Sequence, residues 1–272
     1  MLVFFIIEAL SINDDIFYLL STGSCGESLT YSIEGEKIII SGNGLMNNYN
    51  SNNLPWGEFR TTITMAELHE GITSIGSYSF YNCTNLTSIT VPSSVTMIGK
   101  YAFQYCSNLA SITIPPNMNS ISVGVFSKCS SLTSIIIPRK ITIIEVATFS
   151  ECSKLSSVSI LGDISFIYSN AFLKCSSLSS IIIPESVTSI GESVFYSCTS
   201  LSSITIPENV KLIGSKTFYR CTNLTAITIP KKVTSIESSL FEGCNNLLSV
   251  SIIGNVVFIG NYAFRYCYVL SF

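Results

Sequence analysis

From residue 61 onward the apolar positions return with a fixed period of 23. The segment Leu178–Ser200 shows the unit, L-x-x-I-x-I-P-x-x-V-x-x-I-G-x-x-x-F-x-x-C. Ile181 and Ile183 alternate, which is strand periodicity. Pro184 follows at once and, lacking an N–H, ends the strand. Val187 and Ile190 return to the interior three residues apart, and Gly191 permits a tight bend. Phe195 and Cys198, at i and i+3, predict one short helical or 3₁₀ turn facing inward. Seven positions per unit therefore point inside, too few for one unit to fold alone. Stacked neighbours must close the core on both sides.

Nine cysteines mark the period: Cys83, Cys106, Cys129, Cys152, Cys175, Cys198, Cys221, Cys244 and Cys267. A phenylalanine precedes each by three residues and a leucine follows each by three. A repeat of this length is the signature of a solenoid. The fold class read here is an α/β, β-rich solenoid with parallel strands and short helical or 3₁₀ turns. Its nine coils make eight steps of ~4.8 Å, a slab nearly 40 Å long. The expected organisation is a signal peptide and leader over 1–22, an N-terminal β-hairpin cap over 23–60, and the solenoid over 61–272. In the cap, Leu29, Tyr31 and Ile33 alternate, Glu34-Gly35 offers a turn, and Lys37–Ile40 reads as a second strand. Trp56, the single tryptophan, reads as a core residue of this cap. No polar cap is evident before Phe272, so the last coil is expected to expose an apolar end suited to self-association.

Two coils break the proline rule in the same way. Leu161-Gly162 and Ile253-Gly254 replace the Pro-x pair, 92 residues apart. Arg139-Lys140 and Lys231-Lys232 share that offset, as do Glu145 with Glu237 and Lys128 with Arg220. These coincidences indicate a four-coil block duplicated as a unit. They also raise the reading of two equivalent charged patches about 19 Å apart on one edge.

Composition changes the picture in three ways. Charged residues are only 11%, and the net charge is −3. With no Lys/Arg run, no nucleic-acid partner is expected. No stretch of ~20 apolar residues exists, so no membrane span is expected. The ten cysteines do not read as a disulfide framework. Equivalent positions in stacked coils lie ~4.8 Å apart with parallel Cβ vectors, whereas a disulfide needs Cβ atoms ~3.8 Å apart and convergent. The ladder therefore reads as free, buried thiols, and Cys25 has no evident partner. Without a CxxC, and with His69 as the single histidine, no metal and no cofactor are expected. His69 reads as a solvated cap residue beside Glu67 and Glu70, so no catalytic residue is assigned and the chain is not expected to be an enzyme.

The candidate binding residues lie between the two inward strand positions of each coil: Thr90, Thr113, Ile136, Ser159, Ile182, Thr205, Thr228 and Ser251. They make a hydroxyl-rich sheet interrupted by two isoleucines, and extended surfaces of this kind are the usual recognition sites of repeat proteins.

The unit I-T-I-P-E-N-V-K-L-I-G-S-K-T-F-Y-R-C-T-N-L, residues 204–224, resembles the leucine-rich repeat of the BspA-like surface-antigen family. The stretch from Gly23-Ser-Cys-Gly-Glu through Pro55-Trp56 to Glu70-Gly-Ile-Thr-Ser-Ile-Gly resembles the leader found before such arrays. The resemblance implies a right-handed solenoid and a role in adhesion or host interaction through a protein or cell-surface ligand. It implies a location at the cell surface or in the secreted fraction, to which the apolar run Met1–Ile7 adds a short signal-like segment. The alternative is a cytoplasmic scaffold or self-assembling repeat protein.

Overall fold

The structure, a computed structural model, describes residues 9–10 and 17–271. The signal segment expected within residues 1–22 lies largely outside the described residues. The chain opens on an antiparallel meander. Phe17–Ser24 pairs with Leu29–Glu34, which pairs with Lys37–Gly42. A two-residue turn joins the last two strands, with Gly35 at φ 59°. Lys37–Gly42 then pairs in parallel with Met65–Leu68, and that strand with Ser88–Thr90. The antiparallel cap thus hands its edge directly to the parallel array.

Each coil has three sides. The first is a strand of up to four residues, as in Ser134–Ile137, where Ile135 and Ile137 are buried and Ser134 and Ile136 are exposed. The second is a two-residue strand, as in Ile143–Ile144. Its equivalents Phe166–Ile167, Ser189–Ile190 and Leu212–Ile213 continue it in one parallel ladder at the repeat register. The third is the turn that carries phenylalanine and cysteine.

Proline governs the first side more finely than its strand-ending role predicts. Four-residue ladders form between Ser134–Ile137 and Ser157–Ile160, and between Ala226–Ile229 and Ser249–Ile252. In both, the later coil is one of the two lacking proline. Leu161 N–H donates to Ile137 C=O at 3.0 Å, and Ile253 N–H to Ile229 C=O at 3.1 Å. A proline at that position has no N–H to donate. Where it stands, pairing shortens to the three residues Ser88–Thr90 at the first coil, to the single bridge Ile182–Thr205, or is not formed. Gly162 and Gly254 complete the exception. A Cβ at either would collide with the carbonyl oxygen of Arg139 or Lys231.

The turn differs from the expected helical segment. Bonds of the i→i−3 kind are present: Gln104 N–H to Tyr101 C=O and Cys106 N–H to Phe103 C=O. They are never consecutive. The N–H groups of Tyr101, Phe103 and Tyr105 donate instead to Val123, Val125 and Ser127 of the next coil. The cause is a left-handed residue on each side of the phenylalanine, Tyr101 at φ 58° and Tyr105 at φ 66°. Each turns alternate amides outward along the stack, so a third ladder replaces a helix. Among the described residues the 3₁₀ helix is Gly57–Phe59, in the cap.

Two of the interior columns run side by side along the stack. Phenylalanine rings from Phe80 to Phe264 stack at centroid spacings from 5.3 Å to 5.8 Å. Trp56 covers the first ring at 6.0 Å, and its Nε1–H donates to Ser79 C=O at 2.8 Å. Beside them runs the thiol column. Cys129 Sγ–H donates to Phe103 C=O at 3.1 Å, the same oxygen that receives Cys106 N–H. The pattern repeats from Cys106 to Cys267. All ten cysteines are free.

Candidate binding surfaces

The structure places all eight candidate positions on the exposed strand face. Ile136 and Ser159 are directly paired, as are Thr228 and Ser251, Ile182 and Thr205, and Thr90 with Glu67 of the cap. Thr113 lies on the same face outside any paired strand. Ile136 is 59% exposed and Ile182 86%. From Thr90 to Ser251 these positions offer hydroxyls and two branched apolar side chains, with no titratable group among them. Such a face can recognise shape and apolar contact; it holds no acid, base or nucleophile pair.

A second surface escapes a reading of single repeats. Along the turn edge runs an open groove of about 620 Å³. One wall is the column two residues after each phenylalanine: Tyr105, Lys128, Glu151, Lys174 and Ser197. The other is the column one residue after each cysteine, from Ser107 to Thr199. Each hydroxyl of this second wall donates to the backbone of the preceding coil, as Ser130 Oγ does to Ser107 C=O at 3.2 Å. Lys128 Nζ donates to Tyr105 Oη at 3.0 Å and lies 3.9 Å from Glu151, whose other oxygen is 4.0 Å from Lys174 Nζ. The bond to Tyr105, aided by the Glu151 charge, holds the Lys128 ammonium above its ordinary range. The same two columns line a further 390 Å³ hollow with Arg220, Thr222, Asn245, Tyr266 and Tyr268.

The remaining reactive groups are spent. Burial pushes the ladder thiols up, Cys83 and Cys198 to about 12, so no thiolate is available as a nucleophile near neutral pH. His69 has a serine neighbour that its sequence position hides. Parallel pairing of Lys37–Gly42 with Met65–Leu68 brings Ser41 Oγ within 3.0 Å of His69 Nδ1, while Nε2 lies 3.1 Å from Glu67. Glu67 also pairs with Lys37, which holds its carboxyl below the usual range with help from His69. The group lies on an exposed sheet surface whose strand amides are committed to pairing. It has no converging donors for an oxyanion. Among the described residues no cluster of three His, Cys, Asp or Glu side chains is placed to hold a metal, and no helix is long and apolar enough to cross a membrane.

Parallel coils in 23-residue register around an inward leucine–isoleucine–phenylalanine core define a leucine-rich-repeat solenoid. The model of the BspA type leucine rich repeat region matches residues 59–179 and 147–271, in six copies. The chain belongs to that family. No curated protein matches it by sequence. Among solved structures, it is similar to a leucine rich cell surface protein from Faecalibacterium prausnitzii A2-165, with 22% identity, 92% of this chain and 93% of that one covered, and a TM-score of 0.54. It is also similar to the T. pallidum leucine rich repeat protein, with 27% identity, 87% and 84% covered, and a TM-score of 0.45.

Proposed function

We propose that this chain is a non-enzymatic binding module that acts at the cell surface or after secretion. Its strand face contacts a protein or cell-surface partner. The observation that carries the reading is Ile182. A branched apolar side chain 86% exposed on a stiff, otherwise hydroxyl-lined sheet serves contact with a partner better than it serves folding. Ile136, two coils away, supplies a second anchor. Family membership supports the reading, since solenoids of this class present extended faces for recognition. The test compares the native chain with an Ile136→Ser, Ile182→Ser variant in binding to intact cells and immobilised extracellular proteins. Equal binding by both removes the strand face as the contact. Labelling of intact producing cells tests location, and a chain that stays unlabelled is not on the surface.

One observation favours the second reading, an intracellular scaffold. Ten cysteines without a disulfide suit a reducing compartment. Burial protects nine of them in either compartment, which leaves the labelling experiment to decide.

A further inference from the structure

The turn-edge groove carries an alternation that the strand face lacks. In the column two residues after each phenylalanine, Lys128, Lys174 and Arg220 stand on every second coil. Glu151 and Ser197 stand on the coils between. Two coil steps are about 10 Å. The cations therefore recur at about 10 Å, separated each time by a hydrogen-bonding group that is not a cation. Lys128, Glu151 and Lys174 keep their side chains 36%, 37% and 55% accessible. Their mutual distances of 3.9 Å and 4.0 Å are loose enough for a ligand to compete.

We propose that this groove binds an extended anionic polysaccharide carrying one acidic group on every second sugar. A hexose ring is about as long as one coil step, so a disaccharide matches the interval between cations. The acidic group of one ring faces Lys128, Lys174 or Arg220. A hydroxyl of the intervening ring donates to Glu151 or meets Ser197. Tyr105 lies under Lys128 and Tyr266 under Arg265, so in the hollow beyond the groove Tyr268 offers the most open ring for a terminal sugar. Glu151 sets the selectivity, because its charge repels a polymer acidic on every ring. An extended acidic peptide fits less well. Its side chains on one face recur at about 6.7 Å, and the backbone amides of this edge are already committed to the third ladder, so no strand can add there.

The surface is separate from the strand face, and the Ile136 and Ile182 variants leave it intact. The experiment titrates the full chain with fluorescent hyaluronan oligosaccharides, which carry one carboxylate per disaccharide. Polygalacturonate, poly-glutamate and a neutral cello-oligosaccharide serve as comparisons. The expected result is saturable hyaluronan binding that weakens with salt. Lys174→Gln should reduce it tenfold or more, Lys174→Arg should retain it, and Glu151→Gln should raise polygalacturonate binding more than hyaluronan binding. Absence of hyaluronan binding overturns the proposal. So does equal binding of poly-glutamate, or an equal loss from Lys231→Gln with Lys232→Gln on the other edge.

Discussion

Alkaline pH is the perturbation to which this core is most exposed. Eight ladder thiols, Cys83 through Cys244, are fully buried, and burial raises every one of them. A thiol raised in the folded chain holds its proton more firmly there than in the unfolded chain. Its contribution is complete below the unfolded value near 8.5–9 and is lost as pH climbs toward the folded value. Between those limits the loss depends only on the unfolded value, so the size of the upward shift does not matter. At pH 10 each thiol forfeits about 1.4–2 kcal/mol. Eight together forfeit on the order of 10 kcal/mol, comparable with the whole stability of a typical domain at about 5–15 kcal/mol. Urea unfolding followed by far-UV circular dichroism, under reductant at pH 7, 8, 9 and 10, reads this directly. Cys152→Ala isolates one thiol from the tyrosines, which also titrate near pH 10. That variant starts less stable at pH 7 but loses less between pH 9 and 10, by about 1 kcal/mol. Constant stability from pH 7 to 10, or identical slopes for the two chains, would refute the buried-thiol account.

Two further substitutions test the packing. Gly162→Ala drives a Cβ into the Arg139 carbonyl and should destabilise by at least ~1 kcal/mol; an unchanged urea midpoint contradicts the close approach. Trp56→Phe keeps the ring that ends the phenylalanine stack but removes the donor to Ser79 C=O. It should cost about 1–3 kcal/mol, with hydrogen exchange rising first around residues 76–83; uniform exchange would show that the bond does not hold the cap.

The columns were legible because one coil repeats the next. The 23-residue interval placed Phe80 to Phe264 and Cys83 to Cys267 inside, and strand alternation placed Ile136 and Ile182 outside. What stacking alone creates was hidden. The bond from Cys129 to Phe103 spans 26 residues, a distance no single repeat contains. The left-handed turn positions hold Tyr101, Lys128 and Asn170, none of them the glycine that usually announces such a backbone. The groove was missed because Tyr105, Lys128 and Glu151 share no chemistry. Reading every 23rd residue from Tyr105 is the signal that finds it. Ser41 and His69 stand 28 residues apart and meet only through the parallel register of the cap.

The doubly accepting phenylalanine carbonyl also bears on how this molecule can change length. Each such oxygen serves one amide from its own coil and one thiol from the next. An insertion or deletion of a single residue therefore breaks the bonding of two coils at once and throws the ring stack out of line. A whole coil, or a block of coils, can enter or leave with every junction remade in kind. Growth and loss are thus confined to steps of 23 residues, and the paired exceptions at Leu161-Gly162 and Ile253-Gly254 are the trace of one such event. Variation between copies of this gene should appear as whole-coil ladders of protein size rather than as a continuum.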